Sequence, residues 1–198
     1  RGVVLGCRKN TNPETTMPLR VSIDLDDEAL KHFELIMRQS RNTVAHVAPE
    51  DVVAAAEELI TTVRESGAPE FVEERLVLLE LMISMLSDID WRLPSDEADR
   101  VFNALTYFAE PEDLIPDNIP TLGYLDDAIM IELVSRELGH EIEAYQDFCD
   151  FRKERQDADD GDRASRDDWL AARREELQSR MRKRRVKSPG KVARRLFS

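Results

Sequence analysis

The chain has 198 residues, of which 41% are hydrophobic, 35% charged and 6% aromatic, and its formal net charge at pH 7 is -13. This length is sufficient for one domain whose core needs neither disulfides nor metals to hold it together. The high charge and the few aromatic residues disfavour a β-sandwich and favour an all-α protein. The sequence has no run of about 18 apolar residues, which excludes a typical membrane-spanning helix.

The first predicted domain boundary lies near the N-terminus. Because "MPLRVSIDLDD" looks like a natural start at Met17, residues 1–16 are predicted to be a disordered leader. The alternating "RVSIDL" that follows is either a short edge strand or an extended lead-in. Cys7 and Cys149 are far apart and suggest neither a disulfide framework nor a paired-cysteine metal site, which indicates a cytoplasmic protein.

Residues 17–152 are predicted to form one compact bundle of about five helices. The first is capped by Asp26 or Asp27 and runs to about Val44. The second and third read "APEDVVAAAEELITTVRESG" and "EFVEERLVLLELMISMLSDID", and a fourth opens at Ser95. The last is a long helical pattern from Leu125 through Cys149, in which Gly139 marks a kink or a close helix contact.

Between the fourth and the last of these helices lies the unusual passage "PEDLIPDNIPTLGYLDD", residues 111–127. Residues that precede proline are pushed out of the helical region, so Ile115 and Ile119 are expected to be extended and the fourth helix must end before them. The apolar residues here are too many for a solvated connection. The passage therefore predicts a rigid loop folded under the adjoining helices, with these motif residues: Pro111, Leu114, Ile115, Pro116, Ile119, Pro120, Leu122, Gly123 and Leu125.

The same region is rich in carboxylates. From Val101 to Ser135 there is no Lys, Arg or His, yet there are seven acidic residues. One explanation is structural, with the acids capping helices and turns. The other is a Mg²⁺ or Ca²⁺ site, because these hard cations prefer oxygen ligands. Its candidate ligands are Asp113, Asp117, Asp126 and Asp127, and it predicts a divalent-metal-dependent hydrolase. No Ser/His/Asp or Cys/His catalytic set, and no other cofactor-binding residue, can be assigned.

The order "ALTYFAEPEDLIPDNIPTLGYLDDAIMI", residues 104–131, resembles the signature of the YkvA-like family, a bacterial domain of unknown function. The resemblance covers roughly residues 98–136, comparable to one helical hairpin. It implies no catalytic activity. Members of this family are often described as membrane-associated, but here charged residues such as Glu132 and Arg136 soon follow the motif, which argues against insertion into a membrane.

The chain ends in a region of opposite charge. Residues 153–166 are almost wholly polar and predict a linker, and residues 167–198 predict a basic helix or tail. Nine Lys or Arg and no acid occur from Arg180 onward, so this tail carries +9 and the rest of the chain -22. The predicted polyanion-binding residues are Arg180, Arg182, Lys183, Arg184, Arg185, Lys187, Lys191, Arg194 and Arg195.

These features favour a non-enzymatic interaction or adaptor protein. The bundle would bind an unidentified protein partner near the motif loop, and the tail would bind nucleic acid or anionic lipid through phosphates, without reading bases. Peripheral attachment to a membrane is one alternative. Another is that the tail folds back on the acidic body of its own chain.

Overall fold

The computed structural model describes residues 25–43, 47–109, 115, 123–158 and 163–187. These residues form seven α-helices and one short 3₁₀ segment, and they contain no β-strand. In chain order the elements are α1 (Asp27–Thr43), α2 (Pro49–Ser66), α3 (Glu70–Ser87), α4 (Ser95–Leu105), the 3₁₀ segment (Thr106–Ala109), α5 (Leu125–Glu137), α6 (Gly139–Ala158) and α7 (Arg163–Lys187). None of these helices is both long enough and apolar enough to cross a membrane.

The predicted all-α class is confirmed, whereas the predicted number of about five helices is too low. The single helix expected from Leu125 to Cys149 is two helices, because the backbone leaves the regular helical conformation at Leu138 (φ -94°, ψ 14°) and α6 begins at Gly139. Helix α7 is the basic helix that the sequence predicted after the bundle, and it begins at Arg163, four residues before the predicted start at residue 167.

The linker predicted for residues 153–166 is largely helical in the structure. Helix α6 continues to Ala158 and α7 begins at Arg163, so only residues 159–162 lie between them, outside the described residues. Glu, Lys, Arg, Gln and Ala all have good helix propensity, so a polar composition indicated solvent exposure and not the absence of a helix. The predicted leader and the alternating stretch up to residue 24 also lie outside the described residues.

The ends of the first two helices follow from local sequence. Asp26 caps α1, because its Oδ1 accepts hydrogen bonds from the backbone N–H groups of Glu28 (3.1 Å) and Ala29 (2.8 Å). Helix α2 has Pro49 in its first turn and stops at Gly67, whose φ of 66° lies in the left-handed region that glycine tolerates best.

The core lies where α2, α3, α4 and α5 pack together, and α6 and α7 extend it. Helix α3 is apolar around much of its circumference and contacts α2, α4, α5 and α6. The aromatic centre of the extension is Trp91, which is fully buried and packs against Tyr145 and Phe148 at ring-centroid distances of 5.6 and 5.1 Å. Fully buried Leu177 of α7 belongs to the same core, so α7 is part of the folded body.

Candidate interaction surface

Helix α7 packs antiparallel to α6, as its side-chain contacts show. Near the start of α7, the Arg155 guanidinium of α6 stacks on Trp169 at 4.8 Å from the ring centroid. Near its end, Arg184 pairs with Glu143, which lies close to the start of α6. The inner face of α7 buries its apolar residues Leu170, Leu177 and Met181.

Two polar side chains of α7 also bind the loop between α3 and α4. Arg174 donates a hydrogen bond to the backbone oxygen of Asp90 at 2.8 Å, and the buried amide of Gln178 donates to the backbone oxygen of Trp91 at 2.9 Å. These contacts supply donors to backbone carbonyl groups of the loop. Helix α7 is therefore positioned by specific hydrogen bonds as well as by apolar contacts.

The strongest electrostatic contact of α7 is made by Arg185. Its guanidinium spans both carboxylate oxygens of Glu97 in α4, with Nη2 at 3.0 Å from Oε1, and its Nη1 lies 2.8 Å from Glu141 Oε1 in α6. The side chains of both glutamates are 0% exposed. Arg100 contributes a second cation to Glu141 through its Nε at 3.0 Å. We call Arg185, Glu97, Glu141 and Arg100 the buried clamp.

The carboxylates of the clamp favour the charged form of Arg185. The hydrogen bond to Glu97 is the main factor that raises the pKa of Arg185 above its ordinary value, and the hydrogen bond to Glu141 adds to it against the cost of burial. Two buried carboxylates need such a partner because an unpaired buried charge is strongly destabilising. The clamp therefore ties α7 to both α4 and α6.

Two further arginines of α7 form ion pairs that are much more exposed. Arg184 Nη1 lies 2.8 Å from Glu143 Oε1, and the two side chains are 42% and 30% exposed. Arg180 pairs with Asp147, and these side chains are 41% and 40% exposed. The hydrogen bond to Glu143 raises the pKa of Arg184. We call Arg180, Arg184, Glu143 and Asp147 the exposed pairs.

The side of α7 that faces away from the body carries cations that point to solvent. Arg182, Lys183 and Lys187 are exposed, and within the part of the chain that the structure describes none of them forms an ion pair. Val186 lies among them and is 84% exposed. We call Arg182, Lys183, Val186 and Lys187 the outer face of α7. The remaining predicted polyanion-binding residues, Lys191, Arg194 and Arg195, lie outside the described residues.

A polar cluster that sequence reasoning missed joins α6 to the end of α3. Asp88 accepts hydrogen bonds from the N–H groups of Asp90 and Trp91 at 2.9 and 3.1 Å, from the Tyr145 hydroxyl at 2.9 Å and from Arg152, whose Nη1 is 2.8 Å from Oδ2. Burial opposes the charged form of Asp88, but these donors outweigh it and lower its pKa. No sequence signal pointed to this role, because Asp88 falls inside the stretch predicted as the third helix.

The neighbours of Asp88 are held in unreactive states. Burial raises the pKa of Tyr145 far above its ordinary value, and its hydrogen bond to Asp88 acts in the same direction. Burial also raises the pKa of the Cys149 thiol, although Arg152 lies 3.7 Å from its sulfur. Since a thiolate is the nucleophilic form of cysteine, this shift disfavours Cys149 as a nucleophile.

The motif region is described at Ile115 and from Gly123 onward. Asp126 is buried, and its Oδ2 accepts a hydrogen bond from the Ile115 N–H at 3.0 Å, so this carboxylate ties the loop to the first turn of α5. Asp127 is buried beside it. The residue just before α5, Tyr124, has a left-handed backbone conformation (φ 64°). Leu125 is the first residue of α5.

The remaining motif residues, Pro111, Leu114, Pro116, Ile119, Pro120 and Leu122, lie outside the described residues. So do Asp113 and Asp117, two of the four predicted metal ligands. Among the residues that are described, no group of three or more His, Cys, Asp or Glu is arranged to hold a metal ion. The metal site stays a prediction.

The excess of acid in this region is partly offset by arginines from elsewhere. Glu132 of α5 lies 2.9 Å from Arg136 Nε and 3.8 Å from Arg75 Nε of α3. Both arginines also line a groove along α5, which has two adjoining cavities of about 450 and 360 Å³. Its apolar floor includes Leu30 of α1 and Leu133 of α5.

A family model matches the middle of the chain. Its description is "Protein of unknown function (DUF1232)", and it covers residues 101–133. The DUF1232 match spans the end of α4, the motif loop and most of α5, so it includes Asp126 and one wall of the groove. It agrees with the sequence resemblance in assigning no function, and the YkvA-like name stays a prediction. No curated protein and no solved structure matches the chain significantly.

Proposed function

We propose that the protein is a non-enzymatic interaction module that binds nucleic acid through its phosphates, using the outer face of α7 and the basic residues that follow it. The observation that carries this proposal is that the cations on the two sides of α7 have different surroundings. Its inner cations pair with carboxylates of the body, whereas Arg182, Lys183 and Lys187 are exposed and form no ion pair in the described part of the chain. Neutralising phosphates with such cations releases counterions, which drives binding without sequence specificity.

Docking of α7 makes the outer face a rigid platform. Because the clamp and the buried inner residues hold the helix in place, the backbone that carries the outer cations does not have to be ordered when a ligand binds. The sequence continues this basic character through Lys191, Arg194 and Arg195. The acidic body repels polyanions, so binding is expected to be confined to this side of the molecule.

A phosphate backbone fits the outer face better than a lipid surface does. A helix that lies in a membrane interface needs a substantial apolar face on its membrane side. Among the exposed residues at the end of α7, Val186 is the one apolar side chain that the structure describes. The three cations around Val186 can attract an anionic surface, but a single valine gives little apolar area to insert into a membrane. This balance favours nucleic acid as the partner.

In an adaptor a second partner would need a separate surface. The groove along α5 is lined in part by the DUF1232 match and lies apart from the outer face of α7, since its described lining comes from α1, α3, α5 and Leu25. A protein partner of the bundle would be sought there. The nucleic-acid proposal does not depend on this groove.

The test uses the full chain and a fluorescent duplex of about 20 base pairs, with binding measured by anisotropy over a series of salt concentrations. The variant R182Q/K183Q/K187Q removes the outer cations, and K31Q/R38Q/K153Q is the control, because it removes three exposed charges elsewhere. Each lost phosphate contact should flatten the slope of log K against log salt by about 0.9. We expect weaker binding and a flatter slope for the first variant only.

Two results would overturn the proposal. One is an equal loss of binding in the two triple variants, which would mean that net charge matters and the outer face does not. The other is binding of the wild-type chain to anionic vesicles but not to the duplex, which would identify a lipid surface as the partner.

A further inference from the structure

The exposed pairs stand next to the outer face of α7. Arg180, Lys183, Arg184 and Lys187 occur at spacings i, i+3, i+4 and i+7, so they form one continuous ridge along the helix. Lys183 and Lys187 point to solvent, whereas Arg180 and Arg184 are turned toward Asp147 and Glu143 of α6. A polyanion bound along the two lysines would therefore lie close to the guanidinium groups of Arg180 and Arg184. These two side chains could contact its phosphates by changing their conformation.

The arginines of α7 differ in how firmly the body holds them. Arg185 faces two glutamates that are completely buried, and removing it from them would leave two charges uncompensated in the core. Arg180 and Arg184 face carboxylates that are 40% and 30% exposed, so water can solvate both partners when a pair separates. Exposed ion pairs contribute little to stability and are weakened by salt.

We propose that Glu143 and Asp147 compete with nucleic-acid phosphates for Arg184 and Arg180, so that the acidic face of α6 sets the affinity of α7 for its ligand. The inference rests on the proposed function and adds two phosphate-binding residues and their internal competitors to it. In the free protein the four side chains form the exposed pairs. In the wild-type complex the two carboxylates still hold these arginines, and once the carboxylates are neutralised Arg180 and Arg184 turn to phosphates, while the buried clamp keeps α7 docked.

Competition of this kind differs from a general effect of charge. Any loss of acidic residues makes the protein less negative and favours binding to a polyanion. Only the loss of Glu143 and Asp147 frees two additional cations at the binding site, which increases the number of phosphates contacted. The slope of log K against log salt reports that number directly, and it separates the two effects.

The experiment compares E143Q/D147N with E57Q/E58Q, which removes the same charge from exposed positions on α2. The probe is the 20-base-pair duplex, and urea unfolding checks that both variants remain folded. We expect E143Q/D147N to bind more tightly than the control variant and to steepen the slope by about 1.8, which corresponds to two more phosphates. Adding R180Q/R184Q to E143Q/D147N should return the slope to that of the wild type.

The possible failures can be told apart. If the wild type binds through the outer face but E143Q/D147N behaves like E57Q/E58Q, there is no competition and this inference alone is overturned. If neither the wild type nor E143Q/D147N binds the duplex, the proposed function is overturned and the inference falls with it.

Discussion

Replacing Arg185 by methionine tests whether the buried clamp holds α7 on the body. Methionine keeps most of the length and apolar volume of the side chain but removes the charge and the hydrogen-bond donors. Glu97 would lose its guanidinium partner inside the core, while Glu141 would keep Arg100 at 3.0 Å. The variant therefore leaves one buried carboxylate without a cation and weakens the pairing of another.

The expected loss follows from the cost of breaking a buried ion pair. Removing one partner of such a pair typically destabilises a protein by about 3–5 kcal/mol, because the other charge is left uncompensated. For a chain of this size a loss of that magnitude lowers the melting temperature by about 6–20 °C. The control is R182M on the outer face, which should change the free energy of unfolding by no more than about 0.5 kcal/mol.

Urea unfolding at pH 7, followed by circular dichroism, gives both free energies. The double variant R185M/E97Q removes the orphaned charge together with its partner, so it should recover a large part of the stability that R185M loses. If R185M is no less stable than R182M, the clamp does not hold α7 on the body and the reasoning is refuted. If the double variant is as unstable as R185M, the buried charge of Glu97 is not the cause.

Two further predictions concern other contacts. Asp126→Ala removes the acceptor of the Ile115 N–H and should lower the free energy of unfolding by about 1–3 kcal/mol. D126N keeps an oxygen acceptor, so it should lower this free energy by less. Equal losses in the two variants would show that this hydrogen bond is not the cause. Asp88 has a lowered pKa in the folded state, so its contribution is present above about pH 4 and is lost as the pH falls through that lowered pKa. The stability difference between wild type and D88N, from urea unfolding at several pH values, should therefore be constant from about pH 5 to 8 and shrink in acid, and a difference that grows in acid would contradict this sign.

Local sequence determined the helices that carry strong periodicity and clear end signals. Helix α2 begins at Pro49 and ends before Gly67 because proline fits a first turn and glycine tolerates the left-handed conformation that stops a helix. Asp26 caps α1 as expected. These features depend on residues within a few positions of each other, so the sequence was sufficient to predict them.

The sequence was misleading where a polar composition was used to predict a non-helical linker. The polar stretch before α7 was interpreted as a linker, but helices α6 and α7 occupy most of it. Polarity reports where side chains lie relative to water, whereas the helix itself is stabilised by packing of one face against a neighbour. The break between α5 and α6 lies at Gly139, where the sequence predicted a kink or a close helix contact.

By itself the sequence determined the all-α class, the DUF1232 match and the separation of a basic tail from an acidic body. Only the tertiary structure decided which basic residues are free, because the partners of α7 are remote in the chain: Arg185 and Glu97 are 88 residues apart, and Arg180 and Asp147 are 33 apart. Pairing at such separations depends on how helices pack, which no local pattern encodes. The fold therefore divides one run of cations into a buried anchor, two exposed ion pairs and an exposed face.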